Sequence, residues 1–306
     1  MKALILLLAS AMAAPATTYF VTISGLGGEP DYVQRFKMWA DDIDGSLKKA
    51  GGDSNVTTMI APTRDAIRSR MSQLASQAKP NDSVVLMLIG HGTFDGVDYK
   101  FNIPGTDVTG AELAAMLDRI PASRQCVVDM TSASGGAIQF LRKPGRVVIA
   151  ATKSGTEKNA TVFARYWAEA LREPAADSDK NESISALEAY LYAQRKTKDF
   201  YDSLKRLATE HAVLEDTGKG EGGLPQPNNP DGEGRLAASF SLVRLGANAA
   251  AANDPVKRPL LERKEQIEEE IDKLKYEKAA LPADEYKKRL AALLLELAKV
   301  QEALDK

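Results

Sequence analysis

One cysteine, Cys126, and two histidines, His91 and His211, are all the thiol and imidazole that 306 residues carry. A single cysteine excludes an internal disulfide, so stability must come from a packed core, and Cys126 itself reads as buried inside an apolar run. Charge of one sign is also lacking: 40 Lys and Arg against 42 Asp and Glu leave a formal net charge of −2. No bulk field is available to recruit nucleic acid or an anionic membrane, and neither partner is implied. Nor is there an apolar run of the ~20 residues that a membrane-spanning helix needs. The nearest approach is the N-terminus, where Lys2 precedes the apolar stretch Ala3 to Ala11 and the small residues Ala11, Ala13, Ala14 and Ala16. This pattern predicts a signal peptide over residues 1–16 and an exported chain, periplasmic or secreted. No cysteine is present there to carry a lipid anchor.

What is present is alternation. Strand-like runs at Tyr19 to Ser24, Val56 to Ile60, Val84 to Ile89, Cys126 to Asp129 and Val147 to Ala151 alternate with helical patterns. Those patterns lie near Val33 to Lys49, Arg64 to Gln77, Gly110 to Ile120, Gly136 to Leu141 and Thr161 to Leu171. Alternation of this kind predicts an α/β fold: a mostly parallel sheet with helices on both faces and the site at the carboxyl ends of the strands. Two more helices are expected near Ile184 to Lys196 and Phe200 to Leu214, then a Gly, Pro and Asn-rich loop from Gly218 to Gly234 and a last strand in Ala237 to Leu245. The Ala-rich stretch after it, with Pro255 and Pro259, predicts a linker over 247–259.

Residues 260–306 read as a C-terminal helical hairpin broken around Leu281-Pro282-Ala283. In the second arm Tyr286, Leu290, Leu293, Leu297, Val300 and Leu304 follow coiled-coil spacing. The first arm repeats it less cleanly with Ile267, Ile271, Leu274 and Leu281, interrupted by Lys264 and Lys278. Two antiparallel arms zipped together is the reading a short connection favours, and self-association through the hairpin is the alternative.

Two strand ends carry candidate chemistry. Val84 to Ile89 runs into Gly90-His91-Gly92, and Cys126 to Asp129 runs into Met130-Thr131-Ser132-Ala133-Ser134-Gly135-Gly136. A histidine between glycines at a strand tip lets a backbone approach closely, and it sits where such sheets place their sites. Ser132 occupies the matching position on the neighbouring tip. His211, inside a helical pattern, reads as structural. Asp95 and Asp98, in the turn-rich Thr93 to Lys100, either orient His91 or face water, and Asp129 can support the Ser132 loop by accepting its amides.

Together these residues resemble the caspase-like cysteine peptidases, and within them the legumain branch. His91-Gly92 matches the family's His-Gly, and Ser132-Ala133-Ser134-Gly135 matches its Cys-x-Ser-Gly with serine in place of cysteine. The resemblance spans Tyr19 to Leu245 and implies a three-layer caspase-like sandwich over residues 17–246. It implies further that the amides of Gly92 and Ser132 form an oxyanion hole and that Thr152, Lys153 and Ser154 line a specificity pocket. It also sets the loop after the first strand beside the cleft, so that Glu29 or Arg35 would touch a ligand. A thiol ionises near neutral pH, whereas a serine hydroxyl needs a well-oriented base during attack. The expected function is therefore an exported homologue that binds polypeptide in its cleft with little or no cleavage. The alternatives are a serine peptidase or amidase using His91 and Ser132, and an interaction protein acting through the hairpin.

A second constellation is Asp177-Ser178-Asp179-Lys180-Asn181-Glu182-Ser183-Ile184-Ser185-Ala186-Leu187-Glu188. It fits the twelve-position calcium loop, with Asp177, Asp179 and Asn181 as oxygen ligands, the carbonyl of Ser183, and Glu188 at position twelve. Glu182 stands where the pattern has glycine. The alternative is an acidic loop in which Ser185 and Glu188 cap the next helix. Gly25-Leu26-Gly27-Gly28 lacks the last glycine of a dinucleotide fingerprint, Pro30 standing there, so no nucleotide cofactor is expected.

Overall fold

The computed structural model describes residues 16–52, 55–226, 229, 232–278 and 281–306. The expected signal peptide, apart from Ala16, lies outside the described residues. The chain opens with β1 (Thr18–Ser24), α1 (Pro30–Leu47), β2 (Val56–Ile60), α2 (Arg64–Gln77) and β3 (Ser83–Ile89). A small sheet follows, β4 (Gly92–Phe94), β5 (Tyr99–Phe101) and β6 (Val108–Thr109), then α3 (Gly110–Asp118), β7 (Arg124–Asp129), α4 (Ile138–Leu141) and β8 (Arg146–Ala150). After α5 (Phe163–Ala170) come β9 (Ser183–Ser185), α6 (Ala186–Ser203), β10 (Val213–Glu215), α7 (Arg235–Ala238) and β11 (Ser241–Arg244). Three helices close the chain: α8 (Gly246–Asn253), α9 (Arg258–Glu277) and α10 (Ala283–Leu304).

The central sheet has the order β10-β8-β7-β3-β1-β2 and is parallel throughout except for β10, which runs antiparallel to β8. Its strands are apolar on both faces because both faces are covered. Val85, Met87, Ile89, Cys126 and Val128 point into a core with Phe36, Trp39, Trp167 and Tyr190 from α1, α5 and α6. The residues between them, Val84, Leu86, Leu88 and Val127, point into a second core with Ile67, Leu74, Leu113 and Leu117 from α2 and α3. This gives the three-layer α/β architecture that the alternating pattern predicts. Cys126 is fully buried, and burial pushes its thiol pKa up, which leaves it unreactive at the sheet's centre.

Helix starts follow local chemistry. Thr63 accepts the amide of Ala66 at the head of α2, and Thr109 with Glu112 forms a capping box at the head of α3. Elsewhere tertiary structure overrides pattern. The two helices expected over Ile184–Lys196 and Phe200–Leu214 are one helix, α6, which ends at Ser203; Lys205 turns left-handed at φ 52°. Val213 to Glu215 then pairs with β8 as a strand, so His211 lies outside any helix. The turn-rich Thr93 to Lys100 forms the β4–β5 hairpin, whose turn is closed by Asp95 Oδ1 accepting the amides of Val97 and Asp98.

Where the linker is expected, the chain is helical: α8 buries Asn248, whose side chain donates to the carbonyl of Asn181, and Ala251, which packs with Leu261 and Leu304 of the hairpin. The first amides of α8, those of Ala247 and Asn248, donate to the Glu182 carboxylate. The hairpin is antiparallel, α9 against α10, with Arg263 bonding Glu296 across it. The seam residues Tyr286, Leu290, Leu293, Leu297 and Val300 are half-buried against α9, and Leu304 is buried. On its other side α9 docks on the body through the Arg244–Glu265 and Arg124–Glu269 ion pairs. That explains the interrupted first arm: buried Lys264 serves the docking face, donating to Asn248 Oδ1. No described helix is long and apolar enough to cross a membrane.

Candidate functional site

Parallel pairing of β3 with β7, in register from Ser83↔Arg124 to Leu88↔Asp129, brings the two candidate tips side by side. There Ser132 and Gly92 meet directly. The amide of Gly92 donates to Ser132 Oγ at 3.1 Å, and Ser132 Oγ–H donates to the carbonyl of Gly92, also at 3.1 Å. Ser132 is 2% exposed. Close approach demands the glycine, since a Cβ at Gly92 would fall 2.6 Å from Thr131 Oγ1 and 2.8 Å from the Tyr99 ring.

The loop behind Ser132 is fixed from below. Asp129 Oδ1 accepts the amide and hydroxyl of Thr131, at 3.1 and 2.7 Å, and the Tyr99 hydroxyl lies 2.7 Å from Thr131 Oγ1. Burial raises the Asp129 pKa to about 6 despite these donors, and burial likewise drives that of Tyr99 well up. Asp129 thus holds the loop through the amide and hydroxyl of Thr131, and the Asp95 carboxylate is spent on its own turn. Ala133 takes the left-handed φ of 57°, and its amide donates to the carbonyl of Glu157.

The His91 ring turns toward α1. Its centroid lies 4.9 Å from that of Tyr32 and 5.1 Å from that of Phe36, both edge to face. Burial lowers its pKa below 6.5, opposed by the carbonyl of Gly27 and the carboxylate of Glu29, so the imidazole is neutral at pH 7. Among the described residues no hydrogen bond joins His91 to Ser132. Glu29 is exposed and acts on His91 through charge. Arg35 pairs with Asp31 at 2.7 Å and lies 5.8 Å from the Tyr32 ring, the same ring that edges His91.

Of the expected specificity segment, Thr152 is fully buried. Its hydroxyl accepts the amide of Gly135 at 2.9 Å, and its amide donates to Ser134 Oγ, which ties the segment to the Ser132 loop. Lys153 and Ser154 reach the surface. The amide of Lys153 donates to Glu157 Oε2, and Ser154 Oγ bonds Thr156 Oγ1. Phe94 covers the join, since a Cβ added at Gly136 would meet its ring at 2.7 Å and Gly155 packs against it too.

Chemically, this arrangement staples two strand tips. Ser132 has its proton committed to the Gly92 carbonyl. The Gly92 amide, expected to face a substrate oxyanion, donates to Ser132 instead. Both bonds would have to break before Oγ could attack a carbonyl.

The second histidine also lies at this end of the sheet, which the sequence conceals. His211 stands before β10, and its Nδ1 is 2.6 Å from Glu157 Oε1; Glu157 Oε2 accepts the His211 amide. Beside it Glu210 is buried, its carboxylate accepting the amides of Val162 and Phe163 and the Tyr201 hydroxyl. The misleading signal is the helical spacing of Phe200 to Leu214.

The acidic loop follows α5 in the chain, and among the described residues no hydrogen bond joins it to these groups. One carboxylate oxygen from each of Asp177, Asp179 and Glu188 lies within 4.8 Å of the others. Asn181 Oδ1 accepts the amide of Ser183, so this expected ligand oxygen is bonded within the loop. Ser185 and Glu188 form the capping box of α6, the feature that the alternative reading of this loop expects.

No protein-family model matches the chain, and no curated protein does. Among solved structures it is similar to caspase-1 from Spodoptera frugiperda, with 12% identity and a TM-score of 0.48 over 65% of this chain and 86% of that one. A protein from Geobacter sulfurreducens gives 10% identity and a TM-score of 0.47 over 65% and 93%. The Drosophila initiator caspase Dronc gives 10% and 0.45 over 68% and 81%. At these identities and scores nothing about nucleophile, activity or a legumain branch transfers to this chain.

Proposed function

We propose that the chain is an exported caspase-like peptidase homologue, of the legumain branch, that binds polypeptide at its strand-tip face without cleaving it. One observation carries the non-catalytic part: Ser132 Oγ is held between the amide and the carbonyl of Gly92, 2% exposed, while the imidazole of His91 turns to Tyr32 and Phe36. A serine nucleophile needs a base on its proton and free amides for the oxyanion, and here the hydroxyl and the amide satisfy each other.

Polypeptide binding is supported by the surface around His91. Leu26 is 43% exposed and Val33 is 50% exposed, on the loop and helix that flank the imidazole, and exposed Glu29 and Arg35 stand among them, so the rim offers an extended chain both apolar and charged contacts. Export is supported by the N-terminal pattern of Lys2, Ala3 to Ala11 and the small residues after it.

A fluorophosphonate probe on wild type and Ser132→Ala tests the first part, and a library of extended peptides on wild type and Val33→Glu tests the second. The expected result is no labelling of either protein, with saturable peptide binding that Val33→Glu abolishes. Labelling of wild type but not of Ser132→Ala would establish the serine enzyme instead. Absence of any saturable peptide binding would remove the polypeptide part.

A further inference from the structure

Between α5 and α6 the chain gathers Asp177, Asp179 and Glu188, and their charge is uncompensated. Among the described residues none of the three makes an ion pair with Lys or Arg. The Lys180 ammonium, in the same loop, donates to the carbonyls of Pro174 and Asp177 and not to the carboxylates. Burying a carboxylate without a counter-charge is unfavourable unless hydrogen bonds or a cation satisfy it.

Hydrogen bonds satisfy two of the three. Glu188 Oε1 accepts the amide and hydroxyl of Ser178 and the amide of Asp179, and Oε2 accepts the amide and hydroxyl of Ser185. Asp179 accepts both the amide and the side-chain nitrogen of Asn181. Asp177 is different. It is 5% exposed, its Oδ2 accepts the amide of Glu182, and its Oδ1 is buried with no partner at all. An oxygen of Asp177 lies within 4.8 Å of one from Asp179 and one from Glu188, a crowding of like charges that is unfavourable without a cation between them.

From this geometry we infer that Asp177, Asp179 and Glu188 hold one calcium ion at the head of α6. The orphaned Asp177 Oδ1 supplies free lone pairs and the exposed Asp179 carboxylate the second ligand, while Glu188, its oxygens taken by Ser178, Asp179 and Ser185, adds negative charge and a fixed frame. Oxygen-only donors suit a hard cation, and oxygens bound to calcium at ~2.4 Å sit no more than about 5 Å apart, within which all three fall. Lys180 and Glu182 both adopt the left-handed φ of 62° within this loop. Glu182 does so without being glycine because its carboxylate caps α8. Water completes the coordination on the exposed side of Asp179.

The test uses full chain washed free of metal by a chelator, with calcium chloride alone as the probe. Calorimetric titration should show one site of ~0.1 to 1 mM affinity, the range of weak extracellular sites. At a calcium concentration ten times the dissociation constant, the folded-to-unfolded ratio should rise about elevenfold, read as a higher melting temperature. Asp177→Asn and Asp179→Asn should abolish both signals. In chelator, Asp179→Asn should melt no lower than wild type, because a like charge is removed from an exposed position. No saturable heat in wild type, an equal shift with magnesium, or a calcium shift that persists in both variants would overturn the site.

Discussion

Ser132 and Gly92 exchange a reciprocal pair of hydrogen bonds: the amide of Gly92 donates to Ser132 Oγ, and Ser132 Oγ donates back to the carbonyl of Gly92. The pair joins the tips of two adjacent parallel strands where the sheet's own ladder has ended. Both residues are buried, so water cannot replace either bond. The hydroxyl that would be spent on chemistry in a serine hydrolase is spent here on structure.

Ser132→Ala should therefore behave as a stability mutation. It leaves one buried N–H and one buried C=O without a partner, which lowers unfolding free energy by about 1 to 3 kcal/mol. Urea denaturation reads this as a lower midpoint at unchanged slope. An unchanged midpoint would mean that water enters and satisfies Gly92, and hence that the tip is open to solvent.

Much of this was legible in the sequence. The parallel core strands and the helices between them are apolar runs and periodic stretches whose type is set locally, so α2 falls on the residues its pattern marks. The two strand tips were legible because glycines and a lone histidine punctuate them. The staple was not, because which partner a serine hydroxyl finds depends on strand register. His211 was missed for a similar reason. The spacing from Phe200 to Leu214 is helical, yet Val213 to Glu215 is captured by the edge of β8. The Ala-rich stretch read as linker because alanine is equally at home in a helix, and Glu182, 65 residues upstream of Ala247, supplies the cap that decides it.

His91 should titrate below 6.5, since burial against Tyr32 and Phe36 outweighs the carbonyl of Gly27 and the charge of Glu29. Between its folded and unfolded pKa the folded chain then binds fewer protons than the unfolded chain. Stability from this group rises with pH through that window, is complete above 6.5 and is lost as pH falls. Ring-proton NMR of wild type and His91→Gln assigns the resonance and its midpoint. A midpoint above 6.5 would show that the ring is solvated and paired with Glu29.

Glu210 works in the opposite direction. Its carboxylate, 3% exposed, accepts the amides of Val162 at 2.8 Å and Phe163 at 3.2 Å at the head of α5, and the Tyr201 hydroxyl at 3.0 Å. These donors favour the charged form, but burial outweighs them and raises the pKa to about 7 from an ordinary 4.5. Between those two values the folded chain holds a proton that the unfolded chain has released, so stability falls as pH rises through the window. Glu210→Gln cannot titrate and keeps an oxygen for the amides of α5. Wild type should lose more unfolding free energy than the variant between pH 5 and pH 8, by on the order of 1 to 3 kcal/mol. Urea midpoints of both proteins at the two pH values measure the difference. Parallel losses would show that the three donors hold Glu210 ionised throughout, and that the head of α5 binds it as an anion.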